Sequence, residues 1–262
     1  PKSGEHRLQL RVPGSDADVW VDLPALTLGQ RQSFIKSADN RGDGPVWDLR
    51  MREDGIAVLR MDGWALFNSK WDWKSWLNDR LDSLIGAKGL VVDIRENEGG
   101  LDCGDLILSR LTAKDIVMPS TDRLVRYRKT PKHLDRFLDT WDDSFRDWGT
   151  DAGAYDDRYY RLKRDDNNII AANGPRIEVP MAVLTSAQNS SATFQFANLC
   201  KSTGLGMLVG ETTGGNQQGI NGGAFFFARL PDSEIEFDVP LIGYFPEGKM
   251  PDAGVDPDIR IG

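Results

Sequence analysis

The chain is poor in the side chains that most often do chemistry at neutral pH. Among 262 residues there are only two histidines, His6 and His133, and two cysteines, Cys103 and Cys200. Two isolated cysteines exclude both a disulfide framework and a thiolate metal motif. There is no run of about 18 apolar residues, which excludes a membrane-spanning segment. Nor is there an excess of positive charge. The formal net charge is −8, which argues against nucleic acid or anionic lipid as a partner, because both need a basic face. Internal repeats, low-complexity tracts and the alternating acidic spacing of a calcium loop are also missing.

What is present is concentrated in two strand-to-helix junctions. Met181 to Thr185 reads as a short buried strand, Asn189-Ser190-Ser191 as a tight connection, and Ala192 to Lys201 as a helix closed near Gly204. A serine at that junction faces the free N–H groups of a helix start, which favour developing negative charge. Upstream, Gly89 to Arg95 reads as a second buried strand, ending in Glu96-Asn97-Glu98-Gly99-Gly100 and followed by a helical run from Asp102 to Leu111. Paired glycines let backbone N–H groups approach a ligand unobstructed, as an oxyanion hole requires. Strands alternating with helices give an α/β fold class. The glycine turns lack dinucleotide spacing, which argues against a doubly wound nucleotide fold.

The surrounding pattern divides the chain into residues 1–45, an N-terminal β segment, and residues 46–262, a core domain carrying an insertion at 113–175. Alternation at Leu8, Leu10 and Val12, then Val19, Val21 and Leu23, reads as a hairpin turning at Pro13-Gly14-Ser15, followed by a polar loop over Asp39 to Gly44. The core opens with a strand over Ile56 to Arg60 and a helical stretch from Trp71 to Ile85, in which Trp73, Trp76, Leu77 and Leu81 fit a buried face. The insertion is charged and aromatic, with Trp141 to Trp148 and Tyr155 to Tyr160 as its densest parts. It reads either as a substrate-recognition arm whose aromatic groups grasp an extended peptide or as an amphipathic helical elaboration. Ala224 to Leu230 and Ile235 to Val239 read as a hairpin offering an edge for peptide addition.

Three segments in order resemble the C-terminal-processing (tail-specific) serine peptidases. VVDIRENEGG is similar to their strand-and-glycine motif, VLTSAQNSSATF with LVGETTGG to their nucleophile strand and downstream loop, and GYFPEGKMPDAGVDPDI to their closing segment. Gly210 lies nineteen residues after Ser191, the family's spacing. The resemblance implies a crotonase-like or ClpP-like β/α core and a peptidase of extended or unfolded polypeptides that uses no metal or organic cofactor. It implies Ser191 as nucleophile, and the backbone N–H groups of Ala192 and of Gly99 or Gly100, with Gly100 preferred, as the oxyanion hole. It also implies a secreted or periplasmic location.

The departures from the family pattern are equally specific. In its serine–lysine branch the base falls at Asn216, and asparagine cannot take a proton from serine. The chain is therefore closer to the branch of the tricorn-core peptidases and interphotoreceptor retinoid-binding proteins, where a histidine is expected. Neither His6 nor His133 stands in a segment resembling the family's histidine motif, so the base is expected upstream, with this chain a fragment or processed form. Pro251 occupies the usual glutamate position, with Asp252 adjacent. Asp252 either orients an imidazole or is a turn residue after proline, and Asn216 and Gln218 either position an imidazole or substrate backbone or simply close a glycine-rich loop. Alone, Ser191 would also read as a helix N-cap, which stabilises by roughly 1 kcal/mol; Ser190 competes with it as nucleophile, and register excludes it. Two alternative functions stand beside the peptidase: a catalytically silent peptide- or ligand-binding module, and an acyl-thioester enzyme of crotonase type.

Overall fold

The computed structural model describes residues 5–11, 17–27, 29–30, 33, 45–163 and 168–261. The chain divides into two units, Pro1–Gly44 and Pro45–Gly262. In the first, β1 (Glu5–Arg11) and β2 (Asp18–Pro24) pair antiparallel with Leu8 opposite Val21 and Leu10 opposite Val19. This places the alternating apolar residues on one face. The expected turn at 13–15 and the loop over 39–44 lie outside the described residues.

The second unit holds, in chain order, β3 (Trp47–Met51), β4 (Ile56–Met61), α1 (Trp73–Asp82), β5 (Gly89–Asp93), α2 (Cys103–Leu111), β6 (Ile116–Val117), β7 (Thr121–Val125), β8 (Leu138–Asp139), β9 (Ala152–Ala154), β10 (Tyr160–Leu162), β11 (Ile169–Ile170), β12 (Met181–Thr185), α3 (Ser191–Thr203), β13 (Met207–Gly210), β14 (Ile220–Arg229), β15 (Glu236–Pro246) and β16 (Ile259–Arg260). They form an α/β core. Its main sheet has the order β16–β13–β12–β5–β4–β3, parallel throughout except for β3 at the edge.

The short, almost wholly apolar strands β5 and β12 belong inside such a sheet, where helices cover parallel strands. Leu90, Val92, Met181, Val183 and Leu208 are buried there with Leu77 and Leu81 of α1, Ile107 and Leu108 of α2, and Phe196 and Ala197 of α3. Trp73 and Trp76 are half-buried against this core and meet Trp47 edge-on at 5.8 and 6.2 Å. Asp72 caps α1 by accepting from the Ser75 N–H at 3.1 Å, and Gly204, in the left-handed conformation, closes α3.

A second sheet, antiparallel, has the order β8–β14–β15–β7–β10–β9. Here the insertion differs from one expectation: its described residues contain short strands and 3-10 turns and no α-helix. The charged residues do not form a solvated helical face. They pair across strands and turns instead, as in Arg161–Asp122 at 3.0 Å, Lys129–Asp147 at 2.6 Å and Lys163–Asp151 at 2.8 Å. The aromatic residues build a small core of their own. Phe145 stacks on Trp148 at 5.6 Å and Tyr127 on Phe226 at 6.1 Å, over buried Val125, Leu162 and Leu241. Strand β14 lies between β15 and β8, and β8 reaches only Phe227 and Ala228 of it.

Candidate active site

Strands β5 and β12 are parallel neighbours with Asp93 opposite Leu184, and β12 and β13 with Thr185 opposite Gly210. Their carboxyl ends are therefore level, and the turns that follow must converge, as at ligand sites of open α/β sheets. The would-be Cβ of Gly99 lies 2.9 Å from Ser191 Cβ and 3.1 Å from Ala192 N. The two turns, with Gly99 and Ser191 92 residues apart in sequence, touch at their centres.

Buried amides lock that contact. Asn189, fully buried, donates through Nδ2 to the carbonyls of Ile94 at 2.5 Å and Asn97 at 3.0 Å, while its Oδ1 accepts from the Ser186 N–H at 2.8 Å. Asn97, equally buried, donates to the Met61 carbonyl at 2.7 Å and accepts from the Gly99 N–H at 3.0 Å. The Thr193 hydroxyl contacts the Asn97 carbonyl at 3.0 Å and the Ser190 carbonyl at 2.8 Å. Every side-chain polar atom in this knot is engaged, as burial demands. Asn97, Asn189 and Thr193 were not among the site residues expected from sequence. The signal was present, since each is a polar residue inside a motif otherwise read for its serine and glycines.

The geometry separates Ser190 from Ser191. Ser190 is the N-cap of α3, yet its hydroxyl donates to the Glu98 carbonyl at 2.8 Å and caps nothing. Ser191 is the first helical residue, exposed, and sits at φ +49°. Positive φ in a non-glycine residue costs of order 1–3 kcal/mol and persists only where the surroundings impose it. The capping role is therefore not what either hydroxyl performs.

The paired glycines also differ. The Gly99 N–H is taken by Asn97, whereas among the described residues the N–H groups of Gly100 and Ala192 have no hydrogen-bond partner. Gly100 adopts φ +136°, and a Cβ there would stand 2.3 Å from the Trp64 carbonyl carbon and oxygen. Only glycine lets the chain pass beneath Trp64 in this conformation.

The loop after β13 lies against the closing segment. Asn216 Nδ2 donates to Asp252 Oδ1 at 2.6 Å and its Oδ1 accepts from the Gln218 N–H at 2.8 Å. Gln218 Nε2 reaches the Met250 carbonyl at 3.4 Å, and Val255 donates to Thr213 Oγ1 at 2.8 Å. Asn216, Gln218 and Asp252 thus form one group. Asp252 is exposed.

His133 joins none of these contacts and is exposed on the 3-10 turn Lys132–Phe137. His6 stands on β1 opposite Leu23. Cys103 is buried, and that burial, with Asp102 and Asp105 nearby, pushes its thiol up to about 12. It is a packing residue rather than a thiolate, and Cys200 is likewise buried with its thiol pushed up. Burial together with Asp102 raises the Asp105 carboxyl to about 6. Among the described residues no cluster of metal-ligating side chains occurs, and no helix is long and apolar enough to cross a membrane.

A cavity of about 340 Å³ opens one helical turn from Ser191. Its floor is Phe194, Gln195, Asn198 and Leu199 of α3, and Asn216 and Met250 close one side. Residues of the insertion, including Met118, Asp122, Arg123, Arg161 and Leu162, also line it. The aromatic residues Trp141, Trp148 and Tyr155 do not line it.

The profile of Peptidase family S41 matches residues 55–261. No curated protein matches the sequence. A mutant of CPAF is similar in structure at a TM-score of 0.57 and 16% identity, covering 99% of this chain and 64% of that one. Mature CPAF complexed with lactacystin gives 0.51 and 18%, covering 98% and 62%. A photosystem II D1 C-terminal processing protease gives 0.47 and 20%, covering 98% and 55%. At these identities the likeness is one of fold, and the chain spans less than two thirds of the length of each.

Proposed function

The chain belongs to peptidase family S41, and from that premise we propose that it forms the core of a serine peptidase that hydrolyses extended or unfolded polypeptides through an acyl-enzyme on Ser191. The observation that carries the reading is the junction itself. An exposed serine is held at φ +49° at the head of a helix, against Gly99 of a glycine turn, and the N–H groups of Ala192 next to it and of Gly100 in that turn have no partner among the described residues.

In this mechanism a base removes the Ser191 proton and Oγ attacks the peptide carbonyl. The N–H groups of Gly100 and Ala192 hold the oxyanion, which is worth on the order of 100- to 1,000-fold in rate per donor. The base then protonates the leaving amine, and water repeats the sequence on the ester to release the acyl group. The base is a histidine supplied from outside this chain. Asp252, fixed through Asn216, keeps carboxylate capacity to orient an imidazole. Transit of such a protein through a secretory route, to a secreted or periplasmic location, is part of the same proposal.

A second reading is favoured by one observation. The lysine register holds Asn216, whose amide bonds Asp252 and the Gln218 N–H, as expected of a binding module that keeps the fold and performs no reaction.

The two readings part under a fluorophosphonate probe with and without exogenous imidazole, which stands in for the missing base. Imidazole-accelerated formation of one adduct, absent from Ser191→Ala, is the expected result. An intact mass unchanged under both conditions overturns the peptidase reading in favour of the binding module.

A further inference from the structure

The hydrogen-bonding capacity left free in the cavity beside Ser191 is carboxamide. Its polar lining includes the amide side chains of Asn168, Gln195, Asn198, Asn216 and Gln217. Two of these already bond within the fold: Asn216 with Asp252 and the Gln218 N–H, and Gln217 with the Gly254 carbonyl at 2.8 Å. The side-chain amides of Gln195 and Asn198 have no hydrogen-bond partner among the described residues. The charged lining does not supplement them. Arg161 is paired with Asp122 at 3.0 Å and lies 4.4 Å over the Tyr155 ring. Arg123 stands on the other face of the β7–β10 pair, because Leu124 is the residue opposite Arg161, and it is itself engaged.

The two free amides are tied to the junction by their helix. Ser191, Gln195 and Asn198 recur at helical spacing along α3, so they share one face. Gln195 stands about 6 Å and Asn198 about 10 Å beyond Ser191 along the helix axis, within reach of a substrate side chain next to the bond under attack. Met118, Leu162, Phe194, Leu199 and Met250 supply apolar walls. A group that enters must match both a carbonyl and an NH2 from each amide. A carboxylate offers acceptors only and an ammonium donors only, so either leaves part of that capacity unpaired, and either buries a charge whose possible counter-ions are already paired. A carboxamide offers both in one plane, and its methylenes suit the apolar walls.

We propose that this cavity is a substrate subsite selecting a glutamine side chain of an extended polypeptide, with Gln195 and Asn198 as its specificity-determining residues. The proposal rests on the peptidase reading for the identity of its ligand as a polypeptide, and on the cavity alone for its selectivity. The insertion, on this assignment, contributes wall and not charge, and the selection is made by the helix that also carries the nucleophile.

The test uses the full chain carrying Ser191→Ala and four fluorescein-labelled heptapeptides, Ala-Ala-Leu-Xaa-Leu-Ala-Ala, each closed as a C-terminal N-methylamide. Xaa is Gln, Glu, Lys or Met, which have similar reach and offer donor plus acceptor, acceptor only, donor only, or neither. Fluorescence anisotropy is expected to show the Gln peptide binding about tenfold more tightly than each of the others, as one or two well-made hydrogen bonds provide. Gln195→Met and Asn198→Leu keep side-chain size and remove the amide. Each should bring the Gln peptide to within about threefold of the Met peptide, with binding of the Met peptide no weaker than before. Near-UV circular dichroism identifies a variant that has not folded, and the second variant keeps the test decisive if the first fails. Equal binding of all four peptides, no binding of any, a preference for Glu, Lys or Met, or an unchanged Gln preference in a folded variant overturns the proposal. None of these readouts depends on turnover. Failure of fluorophosphonate labelling with the Gln preference intact would overturn the peptidase reading alone, and labelling without the preference would overturn the subsite alone.

Discussion

The two sheets of the larger unit solve different problems. The parallel sheet buries nearly continuous apolar strands, and its helices cover them with Leu, Ile and Phe at helical spacing. It has enough core to hold a strained serine and two unpartnered N–H groups. The antiparallel sheet packs over a much smaller buried cluster, built on Val125, Leu162, Phe226 and Leu241, and it adds cross-strand ion pairs and ring stacking. Exposed ion pairs contribute little stability individually. The comparison teaches that a strained backbone conformation is held where packing is deep, while the shallower sheet relies on surface pairs that can change at less cost.

Four substitutions would sharpen or break that contrast, and the largest effect belongs to Gly100→Ala. A methyl 2.3 Å from the Trp64 backbone, at φ +136°, cannot be accommodated without moving the turn. The expected loss is about 3 kcal/mol or more in urea unfolding, together with loss of imidazole-assisted labelling. Retained labelling at wild-type stability would show that the turn is not held from Trp64. Next is Asn189→Ala, which leaves the Ser186 N–H without a partner and removes the side-chain bonds to the Ile94 and Asn97 carbonyls that tie the two turns together. About 2–3 kcal/mol of destabilisation is expected, with slower labelling because Ser191 is no longer pressed against Gly99.

Asp105 tests the same region through pH. Its carboxyl, raised to about 6 by burial and by Asp102, binds a proton more tightly folded than unfolded. Its stabilising contribution is therefore full below about pH 4 and is lost as pH rises through about 6. Asp105→Asn should be more stable than the parent at pH 8 by about 1–2 kcal/mol after discounting solvent screening, and equal to it at pH 4. A gap independent of pH would mean that the carboxyl does not titrate in this window. The smallest effect is expected on the second sheet, from Trp141→Ala. This ring is 60% exposed and only leans on Phe225 and Phe227, so about 1 kcal/mol or less should be lost. A larger loss would show that the antiparallel sheet depends on its surface rings.

Legibility in the sequence follows the same division. The strands Met181–Thr185 and Gly89–Asp93 and helix Ser191–Thr203 were readable to within a few residues, because each buries its apolar residues by local periodicity and ends at a glycine or a polar turn. The spacing from Ser191 to Gly210 was readable for the same reason, since strand and helix lengths fix it. The insertion was not. Its strands are two to five residues long, too short for a period to show, and apart from the β9–β10 pair their partners lie far away in sequence. The choice between Gly99 and Gly100 as the free donor was equally invisible, because it depends on where Asn97 Oδ1 points.

The sequence by itself determined the order of the elements, the serine at the head of a helix and the paired glycines opposite it, because these follow from local hydrophobic pattern and backbone permissiveness. Only the tertiary structure decided that Asn97 and Asn189 bind the two turns together, and that Ser191 takes positive φ while Ser190 is tied to Glu98. Those outcomes rest on contacts between segments far apart in the chain, and the need of buried polar groups for partners acts only once folding has brought the segments together.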